Sequence, residues 1–312
     1  MSGTPVDPLA PCVLLVDKPE GPTSHDVVQR ARRALATRRI GHTGTLDPFA
    51  SGLLLLCVGS ATRLVEFFQP LPKAYDAELM LGTETTTHDR MGEVVASGNG
   101  WRRVGESHLR EVLAEHTGVQ QQRPPAYSAV RVGGRRAHEL ARAGEPLFLA
   151  ERAVLVRSLD LLEFAPPAAR LRIVASTGTY VRSLARDIGR RLGCGAYLSA
   201  LRRTSIGPFR VDSAARAGEL EAATIPSGAR LSPSRALSWL PSRELAGEEA
   251  ERAANGGSVS LGELRPPEIR CEVLAGDGAD PPPVRLLSEG RLLGVASRDG
   301  SLLRPLKIFH ER

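Results

Sequence analysis

Residues 41–64, GHTGTLDPFASGLLLLCVGSATRL, set one carboxylate, Asp47, before a proline and among glycines, just ahead of a strongly apolar run. A proline pushes the preceding residue out of the helical region, so Asp47 is expected in an extended or turn conformation on a loop carried by a buried scaffold. Three uses are open to such a carboxylate: nucleophile, general base, or turn-former whose oxygens satisfy backbone N–H groups, the last being favoured by residue statistics alone. The H-x-G-H motif of nucleotidyl-transferring synthetases fails here, because Thr45 stands where its second histidine would be. A Walker A loop fails for want of a lysine. No second carboxylate lies close in sequence, which speaks against a glycosidase-style acid/base pair or a two-metal hydrolase. The histidines (His25, His42, His88, His108, His116, His138 and His310) show no metal-ligand spacing. Cys12, Cys57, Cys194 and Cys271 form no C-x-x-C pair, so a reducing compartment and no metal are expected.

The elements that must position these residues are legible from periodicity. Ser24 suits a helix N-cap, with Val27, Val28, Ala31 and Leu35 on one face. Residues 73–82 alternate, placing Tyr75, Ala77, Leu79 and Leu81 on one side of a strand with Tyr75 inward. A helix beginning near Thr179 carries Val181, Leu184, Ile188 and Leu192 as its apolar stripe, and Arg182, Arg186 and Arg190 as a row read as a basic ridge. Residues 226–258, rich in Pro, Ser, Gly and Glu, read as a linker with short helices. Beyond it, strands are expected at 268–274, 284–287, 292–296 and 302–308, the middle pair as a hairpin around Ser288-Glu289-Gly290. The large part is therefore mixed α+β, followed by a small all-β module.

The chain has 312 residues, 42% of them hydrophobic and 24% charged, which excludes a disordered, collagen-like or disulfide-stapled protein and suits about two domains. The formal net charge is +6, and only Lys18, Lys73 and Lys307 among 41 cationic side chains are lysines. Arginine forks match phosphate and stack on bases, so the excess fits nucleic acid, although a GC-rich genome produces the same bias. The N-terminus lacks a cationic n-region and the longest apolar run, 53–58, is too short to span a bilayer, so a cytoplasmic, soluble protein is expected.

Five blocks taken together resemble the bacterial tRNA pseudouridine-55 synthases, the B-type family: KPEGPTSHDVV (18–28), GHTGTLDPFASGLL (41–54), KAYDAELMLGTETTTHDRMGEV (73–94), RPPAYSAVRVGGRRAHELARAG (123–144) and the stretch from STGTYVRSLARDIGRRLG through LRRTSIGPF (176–209). The resemblance covers about two thirds of the chain in order. It implies an α+β catalytic domain on a central mixed or antiparallel sheet over 1–240 and a PUA-like RNA-binding β-barrel over 241–312, the latter clear only in 284–309. The implied reaction is isomerisation of uridine-55 in the T-loop of tRNA to pseudouridine, with no cofactor, no metal, no membrane, no obligate protein partner and a monomeric enzyme. Asp47 is then the nucleophile, Tyr75 the stacking residue and general base, and Arg182 the partner of the nucleophile. His42, Tyr180 and Leu201 become residues that hold the flipped base, while Lys18 and Pro19 support the pocket. Asp89, in the TTTHD loop, matches an acidic position and caps a turn or positions RNA. Arg123, Arg131, Arg135, Arg136, Arg202, Arg203 and the Arg182–Arg190 row are the cations offered to RNA. A tRNA-gripping folding helper, a role that can coexist with the isomerase, and a metal-dependent hydrolase are the competing classes.

Overall fold

The computed structural model describes residues 10–145, 147–220, 225–271 and 281–309. The chain divides into two compact units, one formed by the chain up to Pro48, Gly52–Leu71 and the chain from Ser205 onward, the other by Phe49–Ser51 and Pro72–Thr204.

In the first unit, strand Cys12–Lys18 lies antiparallel to Ser51–Val58, with Leu15 opposite Leu55 and Val13 opposite Cys57. Cys12–Val16 and Leu53–Val58 are buried on both faces of their strands, and Leu53 to Leu56 are wholly buried. Each such leucine contributes about 1.5–3 kcal/mol by leaving water, so the run that stood out in sequence is the centre of the core. Ile40–His42 pairs with the Ser51–Val58 strand, and Arg230–Leu231 and Ala215–Arg216 pair with Cys12–Lys18. Helix Ser24–Ala34 adds Val27, Val28 and Ala31 to this core. Its N-cap is Thr23, closed as a capping box with Asp26, and Ser24 is the first helical residue with a different use described below.

Residues 226–258 are no linker. Ala229, Leu231, Ala236, Leu237, Trp239 and Leu240 are buried in the main core, because the apolar ALSWL segment outweighs the turn-forming residues around it. Short helices Pro233–Ala236 and Gly247–Ala254 and strand Ser242–Glu244 fill the stretch. A five-stranded sheet of the expected PUA-like kind closes the unit, ordered Ser242–Glu244, Val284–Ser288, Arg291–Asp299, Leu302–Ile308 and Val259–Ser260. The hairpin turn places both Glu289 and Gly290 at positive φ, the backbone of a two-residue turn matched to strand twist. The strand expected at 268–274 is absent over 268–271, where the chain bends, and its remainder falls outside the described residues.

In the second unit the sheet order is Ala196–Ile206, Lys73–Leu81, Ala168–Ala175, Arg152–Ala165 and Gly118–Gln122, with the last four strands consecutively antiparallel. The Lys73–Leu81 strand alternates as its sequence requires, burying Ala77, Leu79 and Leu81. Helix Val181–Arg191 buries Val181, Leu184, Ala185 and Ile188. Gly189 lets this helix approach the next strand: an added Cβ would lie 2.2 Å from Ala196 N and 2.5 Å from Gly195 C.

Those contacts are to backbone, which has no rotamer with which to yield. Gly189→Ala is expected to destabilise the fold by about 1–3 kcal/mol through overpacking, read as a lowered thermal midpoint. An unchanged midpoint would show that the helix is not seated against the chain at residue 196.

Candidate active site

The Asp47 loop is fixed by its neighbours on both sides. Ser24 Oγ accepts the Leu46 N–H at 2.8 Å and donates to the Leu46 carbonyl at 3.2 Å, and the serine is buried. On the other side, the Pro48 carbonyl accepts the Gly21 N–H at 2.8 Å. Lys18 is fully buried and donates to the carbonyls of Pro19 at 2.8 Å, Pro22 at 2.9 Å and Pro48 at 3.5 Å. A buried ammonium is costly without such acceptors, so this lysine ties the KPEGP turn to the Asp47 loop. The backbone before and after Asp47 is thus held, and the carboxylate itself is half-buried. His42 ends a short strand opposite Leu56, and Thr43 N–H donates to the Leu55 carbonyl at 3.2 Å, so the loop leaves the sheet directly after the histidine. Lys18, Pro19, His42 and Asp47 all belong to the first unit.

Tyr75, Tyr180, Arg182 and Leu201 belong to the second. Tyr75 is half-buried opposite Ile173. Lys73, on the same side of that strand, is buried, and its ammonium is pushed down to about 8 by desolvation and then by the Arg203 charge. Leu201 is buried on the Ala196–Ile206 strand. Tyr180 occupies the N-cap of helix Val181–Arg191, so Tyr180 and Arg182 are both set by the start of that helix.

Arg182 is only 4% exposed and donates to the carbonyls of Thr87 at 3.1 Å and Tyr127 at 2.9 Å. Its Nη1 lies 3.6 Å from Asp89 Oδ2. Asp89 is equally buried, and its Oδ1 accepts from Thr87 Oγ1 at 2.6 Å and Met91 N at 2.9 Å. The ion pair joins Asp89 to Arg182 across segments far apart in the chain, which the sequence does not reveal. The basic ridge is not realised. Arg186 is also buried and is spent on Asp187 and the Arg123 carbonyl, and exposed Arg190 pairs with Glu84 at 3.1 Å. Arg203 is buried too and is withdrawn from any surface, whereas Arg123, paired with Glu151, and Arg135, paired with Glu145, stay exposed. Helical rows point toward whatever packs on that face, and here packed loops present carbonyls to the arginines.

His88, next to Asp89, has positive φ and a buried Nδ1 without a hydrogen-bond partner. Burial, then the charges of Arg186, Arg190 and Arg182, lower its pKa to about 4. Among the described residues no group of three or more His, Cys, Asp or Glu side chains is arranged to hold a metal ion, and no helix is long and apolar enough to cross a membrane. His310 lies outside the described residues.

Comparison with known proteins gives these positions a context. Residues 32–181 match the model of the TruB family pseudouridylate synthase N-terminal domain, and residues 182–232 that of the tRNA pseudouridylate synthase B C-terminal domain. Proteins named tRNA pseudouridine synthase B are 41% identical in Burkholderia mallei over 95% of this chain and 96% of that protein, and 39% identical in Geobacter sulfurreducens over 95% and 99%. Among solved structures, a Cbf5-Nop10-Gar1 complex contains a chain superposing with a TM-score of 0.71 at 26% identity, over 96% of this chain and 85% of that one.

The arginine-lined setting of His88 carries its own test. Its imidazole is expected to stay neutral until about pH 4, against an ordinary value of 6.5, when followed by NMR titration. Since the unfolded chain takes up that proton first, this contribution to stability is complete above pH 6.5 and is lost as pH falls toward 4. Titration near 6.5 would mean that the ring is not enclosed by these cations.

Proposed function

Because the chain belongs to the TruB family of pseudouridylate synthases, we propose that it isomerises uridine-55 in the T-loop of tRNA to pseudouridine, with Asp47 as the nucleophile. The observation that most supports the reading is that the matched stretch, 32–232, contains His42, Asp47, Tyr75, Tyr180, Arg182 and Leu201, each at its expected motif. The product differs from the substrate only in its glycosidic bond: N1–C1′ breaks, the base turns, C5 bonds to C1′, the C5 proton leaves and N1 gains one. No atom is added and no electron is exchanged with another reagent, so a carboxylate, a base and a closed pocket suffice.

Asp47 needs an immobile backbone to act at a defined atom, and its two anchored neighbours supply one. Tyr75 stacks on the base and takes the C5 proton, and Arg182 keeps the nucleophile ionised. His42, Tyr180 and Leu201 hold the extruded uridine, whose flipping costs a few kcal/mol offset by stacking and phosphate contacts. Residues 1–240 form the catalytic part and 241–312 an RNA-binding part. The enzyme acts on the T-arm as a cytoplasmic monomer without an obligate protein partner.

A T-arm stem-loop carrying tritium at C5 of its uridines tests the assignment. Wild-type protein in strong chelator is expected to release tritium from one loop uridine. Asp47→Asn should bind the RNA with the same salt-sensitive affinity and release none. Release by Asp47→Asn would remove Asp47 from the chemistry, and loss of wild-type release in chelator would favour a metal-dependent reaction.

A further inference from the structure

Tyr180 is gripped from two sides by one pair of residues on neighbouring strands. Gln122 ends strand Gly118–Gln122 and Arg152 begins strand Arg152–Ala165, and the two are direct partners in the antiparallel register. Residues directly opposite each other in an antiparallel pair project side chains to the same face. The Gln122 amide meets the Tyr180 backbone twice: Oε1 accepts the Tyr180 N–H at 2.8 Å and Nε2 donates to its carbonyl at 3.1 Å. Gln122 is 1% exposed, so this exchange takes place out of water, where a missing partner is costly.

Arg152 holds the other end of the same residue. Its guanidinium lies 4.8 Å from the centre of the Tyr180 ring, within the range of a cation–π contact, and its Nη2 donates to the Gly178 carbonyl. Gly178 has φ of +83°, a backbone suited to glycine, and an added Cβ would lie 3.5 Å from that same Nη2. The loop before the helix therefore presents its carbonyl and its tyrosine ring to one planar fork. The N-cap at Tyr180 has no side-chain cap of its own, so the Gln122–Arg152 pair takes over the task of fixing where the helix begins.

We propose that Gln122 and Arg152 are positioning residues for the reaction, a cross-strand clamp that sets the backbone and the ring plane of Tyr180 for the flipped base. The proposal rests on the reading of Tyr180 as a residue of the uridine pocket. Gln122 fixes position, Arg152 fixes orientation, and neither needs to touch RNA. Lysine cannot replace the arginine, because an ammonium lacks the plane that covers the ring while donating to Gly178.

The test separates the clamp from an RNA-binding arginine and from the pocket reading itself. The protein has four tyrosines, Tyr75, Tyr127, Tyr180 and Tyr197, so 3-fluorotyrosine labelling gives four fluorine resonances, with Tyr180 assigned from Tyr180→Phe. Arg152→Met and Arg152→Lys are expected to shift and broaden that one resonance in free protein. With the T-arm substrate they should lower kcat about tenfold or more while KM stays within about twofold, as misplacement of a pocket group does. In a Tyr180→Ala background Arg152→Met should cost nothing further, since the ring through which it acts is gone. The same fold loss in that background, or a salt-dependent rise in KM at unchanged kcat, would overturn the clamp and make Arg152 a phosphate contact. Gln122→Glu, which keeps the acceptor but loses the donor, should move the same resonance; an unmoved resonance would overturn its part. A wild-type rate for Tyr180→Ala would instead overturn the pocket reading, with the free-protein resonances still reporting the clamp.

Discussion

A carboxylate that is to act at one defined atom must sit on backbone that does not move, and a loop of one proline among glycines does not meet that demand by itself. The demand is met here by hydrogen bonds to the residues on either side of Asp47, from Ser24 to Leu46 and from Gly21 and Lys18 to Pro48. The helix that supplies Ser24 is itself seated by Val27, Val28 and Ala31, and the strand that ends at Lys18 is part of the same core.

Buried cations are the recurring device. Lys18, Arg182, Arg186 and Arg285 each direct donors to backbone carbonyls, Arg285 reaching Leu240 and Ser234 as well as Glu268. A guanidinium out of water is tolerated when its donors find acceptors, and backbone carbonyls supply them with little added charge. Loops too rich in Gly and Pro to build ladders are thereby fastened to helices and strands. The arginine excess, which suggested RNA, thus has a structural share as well as a surface one.

The C-terminal sheet shows the same economy. Leu287, Leu292, Val295 and Phe309 enter the main core of the first unit, and a smaller cluster around Leu286, Val284 and Leu303 forms its own. Arg63 donates to the Ile308 carbonyl at 2.9 Å and Lys307 pairs with Glu66 at 2.9 Å. The sheet is therefore packed against the N-terminal part of its unit, and the segment joining them belongs to that core.

By itself the sequence determined the local elements and the family. Alternation at 73–82, the helical stripe after Thr179 and the last three strands follow from side-chain period, which is a property of consecutive residues. The GTLDP, KAY and TYVR blocks marked Asp47, Tyr75 and Arg182 as candidates through the family resemblance they carry, since residue types alone left Asp47 a turn-former and Tyr75 a core residue. The tertiary structure alone decided what surrounds them. That Ser24 holds Leu46, that Asp89 pairs with Arg182, that Gln122 and Arg152 enclose Tyr180, and that the Arg182–Arg186 row is buried depend on contacts between residues far apart in the chain. Such contacts leave no periodic trace: a serine before a helix reads as a cap and a row of arginines reads as a surface until the fold shows which carbonyl each one meets.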